Sequence, residues 1–178
     1  LRATIITQLT VCLVLLITTA IAGCGATQQA HQSPQAPGAL KQTLSDYIST
    51  YQARQDFEQF LSFYADDMQL EDMHYGFAVE NKQALAEFFN WSAGNVKILD
   101  GEQTFTLSEV ILDEQQRRAV IRGTYVRFEY EGREMGPWRF TTVLHFNADN
   151  KITYQQDWIN YWPRSLTDGG RNLNHTAN

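Results

Sequence analysis

The segment Tyr64-Ala65-Asp66-Asp67-Met68-Gln69-Leu70-Glu71-Asp72 joins a helical pattern to an extended one. Read locally, a helix ends near Tyr64, the acidic pair Asp66-Asp67 makes a short turn, and a strand begins at Met68. Side chains alternate along a strand, so Met68, Leu70 and Asp72 share one face and Gln69 and Glu71 the other. A carboxylate therefore lies on the apolar face. Burying an unpaired carboxylate is costly, so such a group is hydrogen-bonded, held protonated or set on the wall of a cavity, and a raised pKa would suit it to proton transfer.

Upstream of this segment, apolar residues recur at Leu40, Leu44, Tyr47, Ile48 and Tyr51, the spacing of a helix with one buried stripe. A second helix is predicted from Asp56, which can cap its free amides, with Phe57, Phe60, Leu61 and Tyr64 on its inner side. Downstream, His74-Tyr75-Gly76-Phe77 reads as an aromatic loop over a pocket mouth. A third helix follows, capped by Asn81, with Leu85, Phe88 and Phe89 as its stripe. The chain then changes character. Residues 96–99, 105–112, 119–130, 138–146 and 152–162 are β-rich runs separated by turn-forming residues. Helices first and a strand meander afterwards argue for an α+β domain, with helices on one face of a curved antiparallel sheet.

The register of the meander can also be read. Val120, Val126, Phe128 and Tyr130 are even-numbered, as are Trp138, Phe140, Leu144 and Phe146 in the next strand. A two-residue turn at Glu131-Gly132 pairs even with odd positions and would send the two sets to opposite faces. One inserted residue, a β-bulge near Gly136-Pro137, would restore a common face.

At the amino end, residues 1–23 carry a single charge, Arg2, ahead of an apolar run from Val11 to Ile17, the layout of a signal peptide. Ile21-Ala22-Gly23-Cys24 resembles the lipobox of bacterial lipoproteins. The resemblance implies cleavage before Cys24, lipidation (acylation) of that residue and attachment to the membrane on the periplasmic side of the envelope, the outer membrane being favoured by Gly25 in place of Asp. Residues 24–39 then read as a polar, Pro-containing tether, residues 40–162 as the folded domain and residues 163–178 as a tail. Processing takes one arginine from the 14 basic residues, leaving 13 against 20 acidic ones, a net charge of −7. With no Lys/Arg run anywhere, nucleic acid is excluded as a partner. It also removes Cys12, so no free thiol remains for chemistry. The four histidines lack metal-ligand spacing and no phosphate-binding glycine loop is present, so the reading assigns no metal and no cofactor.

The helix bearing Tyr47, the "FYADDMQLED" segment, the Gly-containing loop, the "LAEFF" helix and the strands with "FEYEGR" and "HFNADNKIT" together resemble a cone-shaped superfamily. Its members include nuclear transport factor 2, the ketosteroid isomerases and the SnoaL-like polyketide cyclases. The resemblance spans about residues 40–162 and implies a curved antiparallel sheet of about five to six strands with three N-terminal helices packed on its concave face. It also implies a homodimer. In the isomerases the catalytic base is the Asp closing a DD-x-x-x-ED segment, which matches Asp72. The oxyanion-hole Tyr of the first helix matches Tyr47, and Thr142 stands where a second, protonated Asp would donate. The epoxide hydrolases of this fold use an Arg and two Asp around a water. Arg122 and Asp157 match, with Thr124 in place of the other Asp, and the cyclases' late-strand Asp also resembles Asp157. Tyr47, Phe63, Phe77, Phe88, Trp138 and Phe140, with Asp72, Thr124 and Thr142, would line an apolar ligand cavity.

Alternatives stand beside these roles. Asp72 can instead cap the loop that follows it, Asp157 can form a salt bridge with Arg122 or Arg139, and His145 shares its face with Thr141 and Val143, an exposed or dimer-facing side. Three functions follow: a lipid-anchored module binding a small hydrophobic molecule, an isomerase, dehydratase or cyclase using Asp72 and Tyr47, and a non-catalytic envelope interaction domain.

Overall fold

Strand β1 runs unbroken from Tyr64 to Asp72, so the acidic pair sits inside the strand rather than in a turn before it. Its pairing with the last strand explains how. Tyr64 lies opposite Ile152 and Gln69 opposite Tyr154, so five steps along β1 match two on its partner. The excess bulges outward, which leaves Asp66 and Asp67 exposed while Tyr64, Met68, Leu70 and Asp72 stay buried.

The computed structural model describes residue 36 and residues 38–93 and 95–170, all within the unit Ser33–Asn178. The leader, the Cys24 anchor, the tether up to residue 35 and the end of the tail lie outside the described residues. Helix α1 spans Ala39–Ala53, α2 Phe57–Ser62 and α3 Lys82–Phe89. The expected caps form: Asp56 accepts from the Gln59 amide and Asn81 from the Ala84 amide, both at 2.8 Å. Leu40, Leu44, Tyr47 and Ile48 are the buried stripe of α1.

Besides β1 the strands are β2 (Phe77–Val79), β3 (Lys97–Ile98), β4 (Phe105–Asp113), β5 (Arg118–Tyr125), β6 (Phe128–Tyr130), β7 (Arg133–Met135), β8 (Trp138–Phe146) and β9 (Ile152–Ile159). Six form a curved sheet in the order β2-β1-β9-β8-β5-β4, antiparallel except for the β1–β9 pair, and β3-β6-β7 form a small second sheet. Helices α2 and α3 pack on β1, and α1 on β4. The mixed α+β architecture expected from the sequence is the one found.

Three local readings are corrected. The aromatic loop is shorter than read, because Phe77 belongs to β2, which pairs back onto β1 opposite Asp72, while Tyr75 of the remaining turn does line the pocket. The run 119–130 is two strands in different sheets, broken at Val126-Arg127, where the Val126 amide turns to the Thr104 carbonyl and Arg127 pairs with Asp100 and Glu134. The inserted residue near Gly136-Pro137 does not exist. Tyr130 faces Arg133, Phe128 faces Met135 and Tyr125 faces Trp138, one continuous register across the turn. The inner face of β5 is therefore the odd one, Ala119, Ile121, Gly123 and Tyr125, which its small residues disguise. Gly123 is small for a reason: a Cβ there would lie 2.3 Å from the Thr106 carbonyl oxygen and 2.8 Å from the Phe140 ring. A bulge does occur, at Ser108 in β4.

Two of the four tryptophans are exposed, Trp158 at 52% and Trp162 at 65%. Residues 163–170 of the tail are structured. After Pro163 comes a 3-10 turn, Arg164–Thr167, and Arg164 bonds both Asn160 and the ring of His74.

Candidate functional site

The ends of β1 and β9 bring two acids side by side. Asp72 and Asp157 are register partners on these parallel neighbours, and Thr142 on β8 is the partner of Asp157 on its other side. Both carboxylates are buried, at 2% and 7% exposure. Asp72 Oδ1 accepts the amides of His74 (3.1 Å) and Tyr75 (2.8 Å), and Oδ2 accepts the Tyr161 hydroxyl. Capping the turn and facing the cavity are thus the same geometry. Asp157 Oδ1 accepts the Thr142 hydroxyl at 2.6 Å and Oδ2 the Gln155 amide at 2.8 Å. Behind Gln155, Oε1 takes the Tyr64 hydroxyl at 2.7 Å and faces that of Tyr47 at 3.5 Å. Those donors fix which way the buried amide points.

Burial raises both acids. Desolvation lifts Asp72 above the usual carboxylate range against the pull of its three donors. Asp157 is pushed up to about 7, chiefly by desolvation, with its two hydrogen bonds opposing and the charge of Asp72 adding. An acid near neutrality can both take and give a proton, the property that general acid–base chemistry requires.

The pair lies on the wall of a cavity of about 350 Å³. Nine aromatic rings line it, among them Tyr51, Tyr125, Phe128, Tyr130, Trp138 and Tyr161. Trp138 packs edge-on to Tyr161 at 4.9 Å and to Phe128 at 5.1 Å. Tyr51 and Tyr125 join hydroxyls at 3.0 Å. Arg54, at the end of α1, also lines the cavity, with its guanidinium 5.1 Å above the ring of Trp91.

Of the residues singled out in the sequence, Asp72, Asp157, Trp138 and Phe88 are on this wall, and Thr142 holds Asp157 from behind. Tyr47 is not on the wall. Its ring is enclosed by Phe60, Phe63 and Tyr64, which rules out a direct contact with a ligand and leaves it a support for Gln155. Phe63 belongs to the same cluster, and Phe140 to the core beside Phe105 and Tyr125. Phe77 stacks on Phe88 at 4.2 Å and is absent from the lining. Arg122 and Thr124 face the other side of the sheet, in a polar depression with Arg139 and Thr141. Arg122 pairs with Glu109 at 2.9 Å, so neither arginine meets Asp157: the even positions of β5 and the odd positions of β8 point away from it.

Tyr51, Tyr125, Tyr130 and Tyr161 also line the cavity and are not among the site residues that the sequence singles out. Tyr161 continues the parity of Gln155, Asp157 and Ile159, a signal that was present. Tyr125 was hidden by the misassigned face of β5.

Residues 44–155 match the SnoaL-like domain family. The chain belongs to that family. Among solved structures, the SnoaL-like domain is similar to two proteins provisionally assigned as SnoaL-like polyketide cyclases. The one from Shewanella putrefaciens CN-32 is 18% identical, with a TM-score of 0.57 over 74% of this chain and 96% of the other. That from Shewanella denitrificans OS-217 is 18% identical, with a TM-score of 0.56 over 71% and 93%. A provisionally assigned ketosteroid isomerase from Kribbella flavida DSM 17836 is 14% identical, with a TM-score of 0.50 over 67% and 76%. At these identities the likeness is one of fold. No curated protein matches the chain. The family match ends at Gln155, two residues before Asp157, so the SnoaL-like assignment by itself says nothing of Asp157 or Tyr161.

Proposed function

We propose that this SnoaL-like domain captures a small, largely apolar molecule in the cavity bounded by Asp72 and Asp157. One observation supports the reading above the others. The ends of the sheet strands carry aromatic rings around an open volume of about 350 Å³, in the range of small-molecule sites, with a few convergent polar groups. A neutral fluorescent probe, N-phenyl-1-naphthylamine, should occupy one saturable site, and Ile98→Trp, which fills the cavity, should weaken it at least tenfold. Equal binding by the variant would place the probe elsewhere and sink the proposal.

A second reading, proton transfer on the bound molecule, is favoured by the titration of Asp157 near neutrality. In it Asp157 is the acid–base group, with Asp72 beside it, and the enclosed Tyr47 has no part as an oxyanion donor. Wild-type protein should then speed the incorporation of solvent deuterium next to the carbonyl of a cyclic enone, and Asp157→Asn should abolish the effect. Rates equal to buffer for both proteins would leave the binding role alone.

Acylated Cys24 would hold the domain at the bacterial envelope, and Cys24→Ser should move the protein to the soluble fraction. The apolar side chains exposed on the outer face, Ile111 and Trp158, fit a homodimer, for which light scattering on the eluting protein is the check.

A further inference from the structure

We infer that the molecule taken by this cavity carries a positively charged nitrogen, held against Asp72 and Asp157 and faced by the rings of Tyr125, Trp138 and Tyr161. The inference rests on the cavity being a binding site and names the chemical class that fits it.

The first ground is uncompensated charge. The ion pairs among the described residues are Lys82–Asp66, Arg122–Glu109, Arg127–Asp100 and Arg127–Glu134, and neither cavity acid is in any of them. Arg54, the one cation on the wall among the described residues, lies over Trp91 instead. Hydrogen bonds rather than ion pairs hold the two neighbouring carboxylates. Buried charge of one sign is stabilised by an opposite charge, and no cation among the described residues forms an ion pair with either acid.

The second ground is the direction of the hydrogen bonds. The donors next to the acids are already engaged. Tyr161 gives its proton to Asp72, Thr142 and Gln155 give theirs to Asp157, and the Trp138 indole gives its proton to the Trp162 carbonyl. Apart from the one hydroxyl proton left over by the Tyr51–Tyr125 pair, what this end of the cavity presents is acceptor oxygens. An anion or a bare carbonyl finds little to bind there, whereas an ammonium group finds two carboxylates.

The third ground is the wall. Ring faces carry negative quadrupole potential and attract alkylammonium groups, which lose little hydration on entry. Tyr125 and Trp138 are register partners on β5 and β8, and Trp138 meets Tyr161 at 4.9 Å, so the three rings border the acid pair. Apolar surface, ring faces and carboxylates together make a site for an amine with an apolar body.

The test uses a matched pair of probes, benzyltrimethylammonium and its uncharged carbon isostere neopentylbenzene, bound to the full chain at pH 8 and followed by ligand-observed NMR. The cation should bind at least about tenfold tighter than the isostere. Asp157→Asn should bring the two within about threefold, chiefly through weaker binding of the cation. Equal or tighter binding of the isostere by the wild-type protein overturns the inference and leaves the cavity as a site for neutral molecules. A preference that survives both Asp157→Asn and Asp72→Asn also overturns it. Failure of both probes and of N-phenyl-1-naphthylamine would remove the cavity reading itself.

Discussion

The inner face of the sheet has two ends built on the same strands. At one, Tyr64 and Met68 of β1, Ile152 of β9 and Leu144 of β8 are fully buried, and Phe60 and Tyr47 of the helices close over them. At the other, a few residues along the same pleats, the corresponding positions are Asp72, Asp157 and Thr142, and aromatic rings stand around open volume. Between the two ends Gln155 serves as a hinge in composition. Its carbonyl oxygen takes hydroxyls from the packed end and its amide serves the acid at the open end. The difference teaches that a sheet tolerates acids on its inner face where the helices no longer fill the space above it, provided each carboxylate oxygen has a donor.

The comparison can be broken most directly at the packed end. Phe60→Ala should lower the free energy of unfolding by about 3–5 kcal/mol, because the surrounding rings cannot collapse into the space left. A loss below 1 kcal/mol in urea unfolding would mean that this end is as loosely filled as the other.

The open end should reveal itself through pH. The folded Asp157 pKa of about 7 lies above the ordinary value of 3.8, so folding favours the protonated form. Its contribution is complete below the unfolded pKa and disappears as pH rises through 7. Unfolding free energy should therefore fall by roughly 2–3 kcal/mol between pH 5 and pH 8, and Asp157→Asn should flatten that slope. A profile identical in wild type and variant would remove the buried-acid account.

Gly123→Ala probes the rows between the ends. Its Cβ would press on a backbone oxygen and the Phe140 ring, so a cost of about 2 kcal/mol is expected, visible as a lowered Tm. On the outer face Arg122→Ala removes an exposed pair with Glu109 and should change stability by no more than about 0.5 kcal/mol. A larger loss would show that the outer face contributes more than its exposure suggests.

Much of this could be read in advance. The stripe of α1, the caps at Asp56 and Asn81 and the inward Asp72 are local regularities, and each appears where its spacing put it. The site was half legible. Asp72, Asp157, Trp138 and Phe88 reach the cavity, whereas Tyr47 and Arg122 do not, because resemblance assigns a role to a position without knowing which side chains enclose it. The register of β5 was misjudged for a related reason. Bulk points to the even face, but Gly123 is small on the inner face because Phe140, from the neighbouring strand, occupies the room.

By itself the sequence determined the periodicities, and with them the helices, most of the strands, the α+β class and the presence of an acid on an apolar face. The tertiary structure alone decided that a second acid, 85 residues further along, lies beside the first, and that the space before them stays open. The physical reason is that side-chain period is a property of consecutive residues. Register between distant strands, and the volume left above them, depend on how all the elements pack at once.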